Sequence, residues 1–84
     1  LLLLNEATDE ENELINQISS IPADVWLAIS KWAKETNNLQ PWQRSIAFSI
    51  GTLLRRGKKP SVKQARQADI ILMEAKRKGY STEG

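Results

Sequence analysis

Pro41-Trp42-Gln43-Arg44, then Arg55-Arg56-Gly57-Lys58-Lys59-Pro60, then Ser61-Val62-Lys63-Gln64 punctuate the stretch from Pro41 to Gly79 as two amphipathic helices joined by a short basic turn. Gly57 offers the left-handed backbone with which helices commonly end, and Pro60 forbids simple continuation. Ser61 and Gln64 have capping-box spacing, which predicts the start of the second helix there. Lys76, Arg77 and Lys78 precede Gly79, placing cations where the negative end of the helix dipole favours them. Everything else in the chain is arranged around this hairpin.

Upstream, Thr8 and Glu11 repeat the capping-box spacing, and Asp9, Glu10 and Glu11 put acids in a first turn. With Leu14, Ile15 and Ile18 as its apolar stripe, a short helix is expected from about Asp9 to Ser19. Ile21 precedes Pro22, which disfavours helix at that point and suits the first position of the next one. Val25, Trp26, Ile29, Trp32 and Ala33 recur at three- and four-residue spacing and predict a core-facing helical face. Thr36-Asn37-Asn38 ends that helix. Pro41 opens a third, with Trp42, Ile46, Ile50, Leu53 and Leu54 as its expected stripe and Gly51 as a point of close helix approach. The fourth presents Ala65, Ala68, Ile71, Leu72 and Ala75. No strand alternation or internal repeat interrupts the pattern. The reading is an all-α fold, a small four-helix bundle with a helix–basic turn–helix hairpin. Residues 1–8 read as a flexible or remnant N-terminal segment, 9–80 as a single helical domain and 81–84 as a C-terminal tail.

With 84 residues the chain can bury one modest core. It has no cysteine and no histidine, which removes disulfides, Cys/His zinc sites and every imidazole- or thiol-based catalytic dyad. No general base, activated nucleophile, metal set or glycine-rich phosphate cradle can be assembled from what is left, so no enzyme, cofactor or metal is expected. The lack of cysteine agrees with a cytoplasmic setting. No apolar run reaches the roughly 20 residues that cross a bilayer, so no membrane partner is expected. Leu1-Leu2-Leu3-Leu4 lacks the basic flank and length of a signal peptide and reads as the end of something larger, an excised domain or a processed fragment.

Charge is unevenly spread. Seven acids before Pro41 face Lys31 and Lys34, a balance of −5, whereas Pro41 onward carries +7. Such asymmetry points to an anionic partner for the basic half, or to two halves that neutralise one another. Arg55, Arg56, Lys58 and Lys59, like Lys76, Arg77 and Lys78, stand where a helix C-terminus favours cations. Lys63 and Arg66 do not, since they lie at the positive end of the fourth helix, where cations and free backbone N–H groups together make an anion site. Gln64 and Gln67 add amides able to reach base edges. Trp26 and Trp32 read as core, whereas Trp42, in a first turn beside Arg44, is open to stacking or docking. The layout resembles a helix-turn-helix.

A further resemblance rests on Ile21-Pro22-Ala23-Asp24-Val25-Trp26, Ser30-Lys31-Trp32-Ala33-Lys34-Glu35-Thr36, Leu39-Gln40-Pro41-Trp42-Gln43-Arg44 and Lys59-Pro60-Ser61-Val62-Lys63-Gln64-Ala65. These runs are similar to a helical module at the C-termini of prokaryotic phage-defence and DNA-processing proteins, including the abortive-infection phage-resistance type. The similarity spans about residues 21–80, with Ser61-Val62-Lys63-Gln64 its most specific part; the acidic first helix lies outside it. It implies an accessory domain of a larger protein whose catalysis lies elsewhere, and it names no catalytic residue for this chain. Two functions are therefore expected, in order. The first is binding of nucleic acid, through its phosphate backbone, by Arg55, Arg56, Lys58, Lys59, Lys63, Gln64, Arg66 and Gln67. The second is a protein–protein interaction module that docks on a parent or partner protein through the acidic helix or Trp42.

Overall fold

The computed structural model describes residues 8–80. They form four helices, α1 Asp9–Ser20, α2 Ala23–Thr36, α3 Pro41–Arg55 and α4 Val62–Arg77, with no strand among the described residues. The expectations for a remnant N-terminal segment and a C-terminal tail fall, Thr8 apart, outside these residues. Thr8 itself is the N-cap of α1: Glu11 donates its backbone N–H to Thr8 Oγ1 at 3.1 Å, and the Thr8 N–H donates to Glu11 Oε1 at 2.8 Å. Ser61 and Gln64 repeat the reciprocal pair at the start of α4, at 3.1 and 2.8 Å. Both boxes satisfy backbone donors that a helix start leaves without partners. Pro22 stands one place earlier than expected, as the N-cap of α2, because its extended ψ of 144° keeps it outside the helix while its carbonyl accepts from Val25 N. Asn37 (φ 57°) and Gly57 (φ 76°) turn the chain through the left-handed region after α2 and α3.

Helices α2 and α3 form an antiparallel pair, since Asp24 meets Arg55, Leu27 meets Gly51 and Ser30 meets Arg44 along their lengths. Helix α4 packs on α3 and on α1, closing the bundle. Between them lies a core of Ile18, Trp26, Ile29, Ala47, Ile50, Ala65, Ala68, Ile71 and Ala75. The stripes expected for α2 and α4 face this core, although Val25, Trp32 and Leu72 are only half-buried. Trp32 is a core margin rather than a core residue, and it meets Tyr80 edge to face at a centroid distance of 5.3 Å.

Helix α3 departs from expectation. Of Trp42, Ile46, Ile50, Leu53 and Leu54, only Ile50 is buried, and Trp42 is 51% exposed. The buried positions are Gln43, Ala47, Ile50 and Gly51. The helix is turned so that its smallest residues face α2. A Cβ on Gly51 would stand 2.7 Å from Leu27 Cδ2 and 3.1 Å from the Ala23 carbonyl oxygen, so any side chain there would have to displace Leu27 and push the α2 backbone back. Gln43 is buried but not orphaned, its Oε1 accepting the Gln40 N–H at 2.8 Å.

Three contacts between side chains tie the acidic and basic halves together. Arg55 Nη2 reaches Asp24 Oδ1 at 2.7 Å, Arg66 Nη2 reaches Glu11 Oε2 at 2.5 Å, and Lys59 Nζ donates to Asn16 Oδ1 at 3.1 Å. Glu11 therefore sits under several influences. The Thr8 backbone N–H does most to hold its carboxyl below the usual carboxylate range; burial opposes it, and the Thr8 hydroxyl and Arg66 add smaller lowering effects.

Two outcomes follow for stability. Gly51→Val should cost about 1 to 3 kcal/mol in chemical denaturation, because α2 must move or Leu27 leave its rotamer, and Trp26→Ala should cost about 3 to 5 kcal/mol by emptying the centre of the core. A Gly51→Val change of a few tenths of a kcal/mol would mean that α2 and α3 are not in this close contact. The second outcome concerns pH. Because Glu11 is more acidic folded than unfolded, its contribution is complete above the ordinary carboxylate range and disappears as pH falls through the folded value. Thermal melting at pH 7 and pH 3 should show a smaller drop for Glu11→Gln than for the parent chain. Equal drops would remove Glu11 from the account.

Candidate nucleic-acid interface

The eight residues expected to form the interface separate into two groups. Arg55, Lys59 and Arg66 are engaged with Asp24, Asn16 and Glu11. Arg66, on the first turns of α4, reaches across to Glu11 on α1 while its side chain stays 60% exposed. The expected neutralisation of the two halves accounts for Arg55 and Arg66, whereas Lys59, held by the neutral Asn16 amide, keeps its charge unpaired by an acid among the described residues. Lys58 is exposed in the turn. Arg56, Lys63, Gln64 and Gln67 remain, and all four line one run of concave surface along α3 and the first turns of α4.

That surface consists of three adjoining hollows. The largest, about 480 Å³, lies between α2 and α3 and is lined by Ser30, Lys34, Pro41, Arg44, Ser45, Phe48 and Ser49. A second, about 260 Å³, shares Phe48 and Ser49 with it and extends through Thr52 and Leu53 to Arg56 and Gln64. A third, about 180 Å³, shares Ser49 and Gln64 with the second and enters the α3–α4 seam beside Lys63 and Gln67. No lining residue of the three is acidic. Lys34, Arg44, Arg56 and Lys63 form no ion pair among the described residues. Four cations thus border one continuous groove lined between them by hydroxyls, the Gln64 and Gln67 amides, the Phe48 ring and the aliphatic Pro41, Ile46, Ile50 and Leu53.

Local structure explains how each part is held. The Ser30 hydroxyl donates to the Arg44 carbonyl at 3.0 Å, which pins α2 to the first turns of α3 and keeps Lys34 and Arg44 on the same hollow. Arg44, Phe48, Thr52 and Arg56 recur every four residues, with Ser45 and Ser49 beside them, and therefore share one side of α3 and its C-cap. Gln64 has its Oε1 committed to the Ser61 N–H, leaving its amide nitrogen toward ligands.

Lys34, Arg44, Phe48, Ser49 and Thr52 were missed by the sequence reading, and a signal for them was present. No Asp or Glu stands between Glu35 and Asp69, an interval that contains all of α3 and the start of α4. A surface helix with cations at both ends and no acid anywhere is a polar face kept free of negative charge. Among the described residues no cluster of three or more His, Cys, Asp or Glu could hold a metal ion, and no helix is long and apolar enough to cross a membrane. Compared with protein-family models, curated proteins and solved structures, the chain matches none.

Proposed function

We propose that this chain is a non-catalytic accessory domain that binds nucleic acid by its phosphate backbone, and that the groove along α3 and the start of α4 is the binding surface. The observation that carries this reading is the absence of any acid from a concave run bordered by Lys34, Arg44, Arg56 and Lys63. Phosphate contacts account for most non-specific affinity, and each demands a cation unopposed by a neighbouring carboxylate. Serine and threonine hydroxyls on the floor supply the neutral donors that commonly accompany such cations. The binding residues in this reading are the four cations together with Gln64 and Gln67, with Lys58 in the adjoining turn. The resemblance to the helical module of phage-defence and DNA-processing proteins agrees with a parent that handles nucleic acid.

Docking on a protein is the second reading. Ile70 and Met73 are 52% and 64% exposed on α4, next to Glu74 and Arg77, in a hollow that shares no lining residue with the groove. The two readings differ in salt response, since apolar docking is little affected by salt.

Fluorescence anisotropy with a labelled oligonucleotide at about 50 mM salt tests the first reading. Arg56→Glu with Lys63→Glu should weaken binding at least about tenfold and flatten the log–log salt dependence by about 1.4 to 1.8, two phosphate contacts' worth. The fold should survive, because an acid at position 63 suits a helix N-terminus while one at position 56 opposes a C-terminus. Lys76→Glu with Lys78→Glu makes the same charge change away from the groove and should cost less than about threefold. No binding by the parent chain would leave protein docking in front, and equal losses from the two pairs would mean a diffuse field with no site.

A further inference from the structure

Phe48 is the chain's single phenylalanine, and it is spent on the surface. It is 57% exposed and lines both of the larger hollows, so its ring lies where they join, at the middle of the cation-bordered groove. The residues that line its two hollows on α3 and its C-cap are Pro41, Arg44, Ser45, Ser49, Thr52, Leu53 and Arg56, and the ring stays 57% exposed among them. The core does not need it: Ala47 and Ile50 face inward on either side of it. An aromatic face in a phosphate-binding groove is a poor match for the outside of a duplex. There the bases are stacked on one another, and only phosphates, sugars and groove edges are presented. It matches an unpaired strand, whose bases can lie on a ring while the backbone follows the cations.

We propose that the groove takes single-stranded nucleic acid, with one base stacked on Phe48 and phosphates of the same strand, several nucleotides apart, on Arg44 and Arg56. The inference rests on the nucleic-acid reading above and adds the form of the ligand. The lengths agree: Arg44 to Arg56 spans about 18 Å along the helix at 1.5 Å per residue. At roughly 3.4 Å per stacked nucleotide that is about five nucleotides, within the range that known single-strand grooves cover. Stacking is tolerant of base identity because every base has a π-face, so sequence preference should be slight.

The experiment compares a labelled oligothymidine of about 12 nucleotides with a duplex of equal length, by anisotropy at fixed salt. The parent chain should prefer the single strand. Phe48→Ala should lose about 5- to 100-fold on oligothymidine while changing duplex affinity less than about twofold. Phe48→Trp should retain binding within about threefold, and Phe48→Leu, which keeps the apolar bulk without the ring, should fall with Phe48→Ala. Phe48 is exposed, so circular dichroism should show all three variants folded. Duplex bound as tightly as the single strand, or Phe48→Leu binding as well as the parent, would overturn stacking while phosphate binding stands. Binding of neither ligand would remove the nucleic-acid reading and this inference with it.

Discussion

The contact between Gly51 and α2 fixes more than its size implies. Leu27 and the Ala23 carbonyl lie against the α3 backbone at Gly51, so a rotation of α3 that brought a larger residue to that place would push α2 away. The observed rotation sends Gln43, Ala47, Ile50 and Gly51 inward. Positions 44, 45, 48, 49, 52 and 56 are then turned outward as a consequence, and they carry the cations, hydroxyls and ring of the groove. Had α3 packed on its larger residues, with Trp42 and Leu53 inward as hydrophobicity alone suggests, the same sequence would have divided this face differently. The small residues of α4 do the same work on the other side, letting that helix lie close enough for Lys63 and Gln67 to border the seam. Close approach here is what positions the candidate site.

The acids of the N-terminal half act on the groove by where they are held. Asp24 is matched to Arg55 and Glu11 to Arg66, both by side chains at the surface. Pairs of this kind at the surface contribute too little to decide the fold. Their consequence is electrostatic. Each takes a carboxylate out of the field and sets it against a cation that is not part of the groove. Arg44 and Arg56 keep their charge for something else. A chain whose net charge is only +2 can in this way present one face with no negative group on it.

The helices were legible in the sequence because their signals are local. Thr8 with Glu11 and Ser61 with Gln64 are spacings within one turn, Gly57 and Asn37 mark left-handed exits, and the stripes of α2 and α4 follow from the 3.6-residue period. The rotation of α3 was not legible, because two faces of that helix compete. Trp42, Ile46 and Leu53 offer more apolar area, whereas Ala47 and Gly51 offer closeness, and closeness depends on Leu27, 24 positions away in the chain. The same limit applied to the basic residues. Arg66 appeared unexplained on its own helix because its partner, Glu11, is on another. Phe48 escaped notice since a lone aromatic off the main stripe has no periodic company, although the acid-free interval around it was visible throughout.

A reader of base sequence needs amides or guanidinium groups free to pair edge-on with bases, and the hairpin is short of them. Gln64 has its carbonyl oxygen engaged at the Ser61 N–H, so the paired donor–acceptor contact by which a glutamine recognises adenine is not open to it while α4 keeps its cap. Gln67 is half-buried at the α3–α4 seam. Arg55 and Arg66 are held by carboxylates. The groups that remain are cations suited to phosphate, hydroxyls that donate to backbone oxygens, and one ring indifferent to which base it meets. On the proposed reading, such a surface holds a strand without reading it, and the helix-turn-helix likeness then describes the chain's outline better than the proposed recognition.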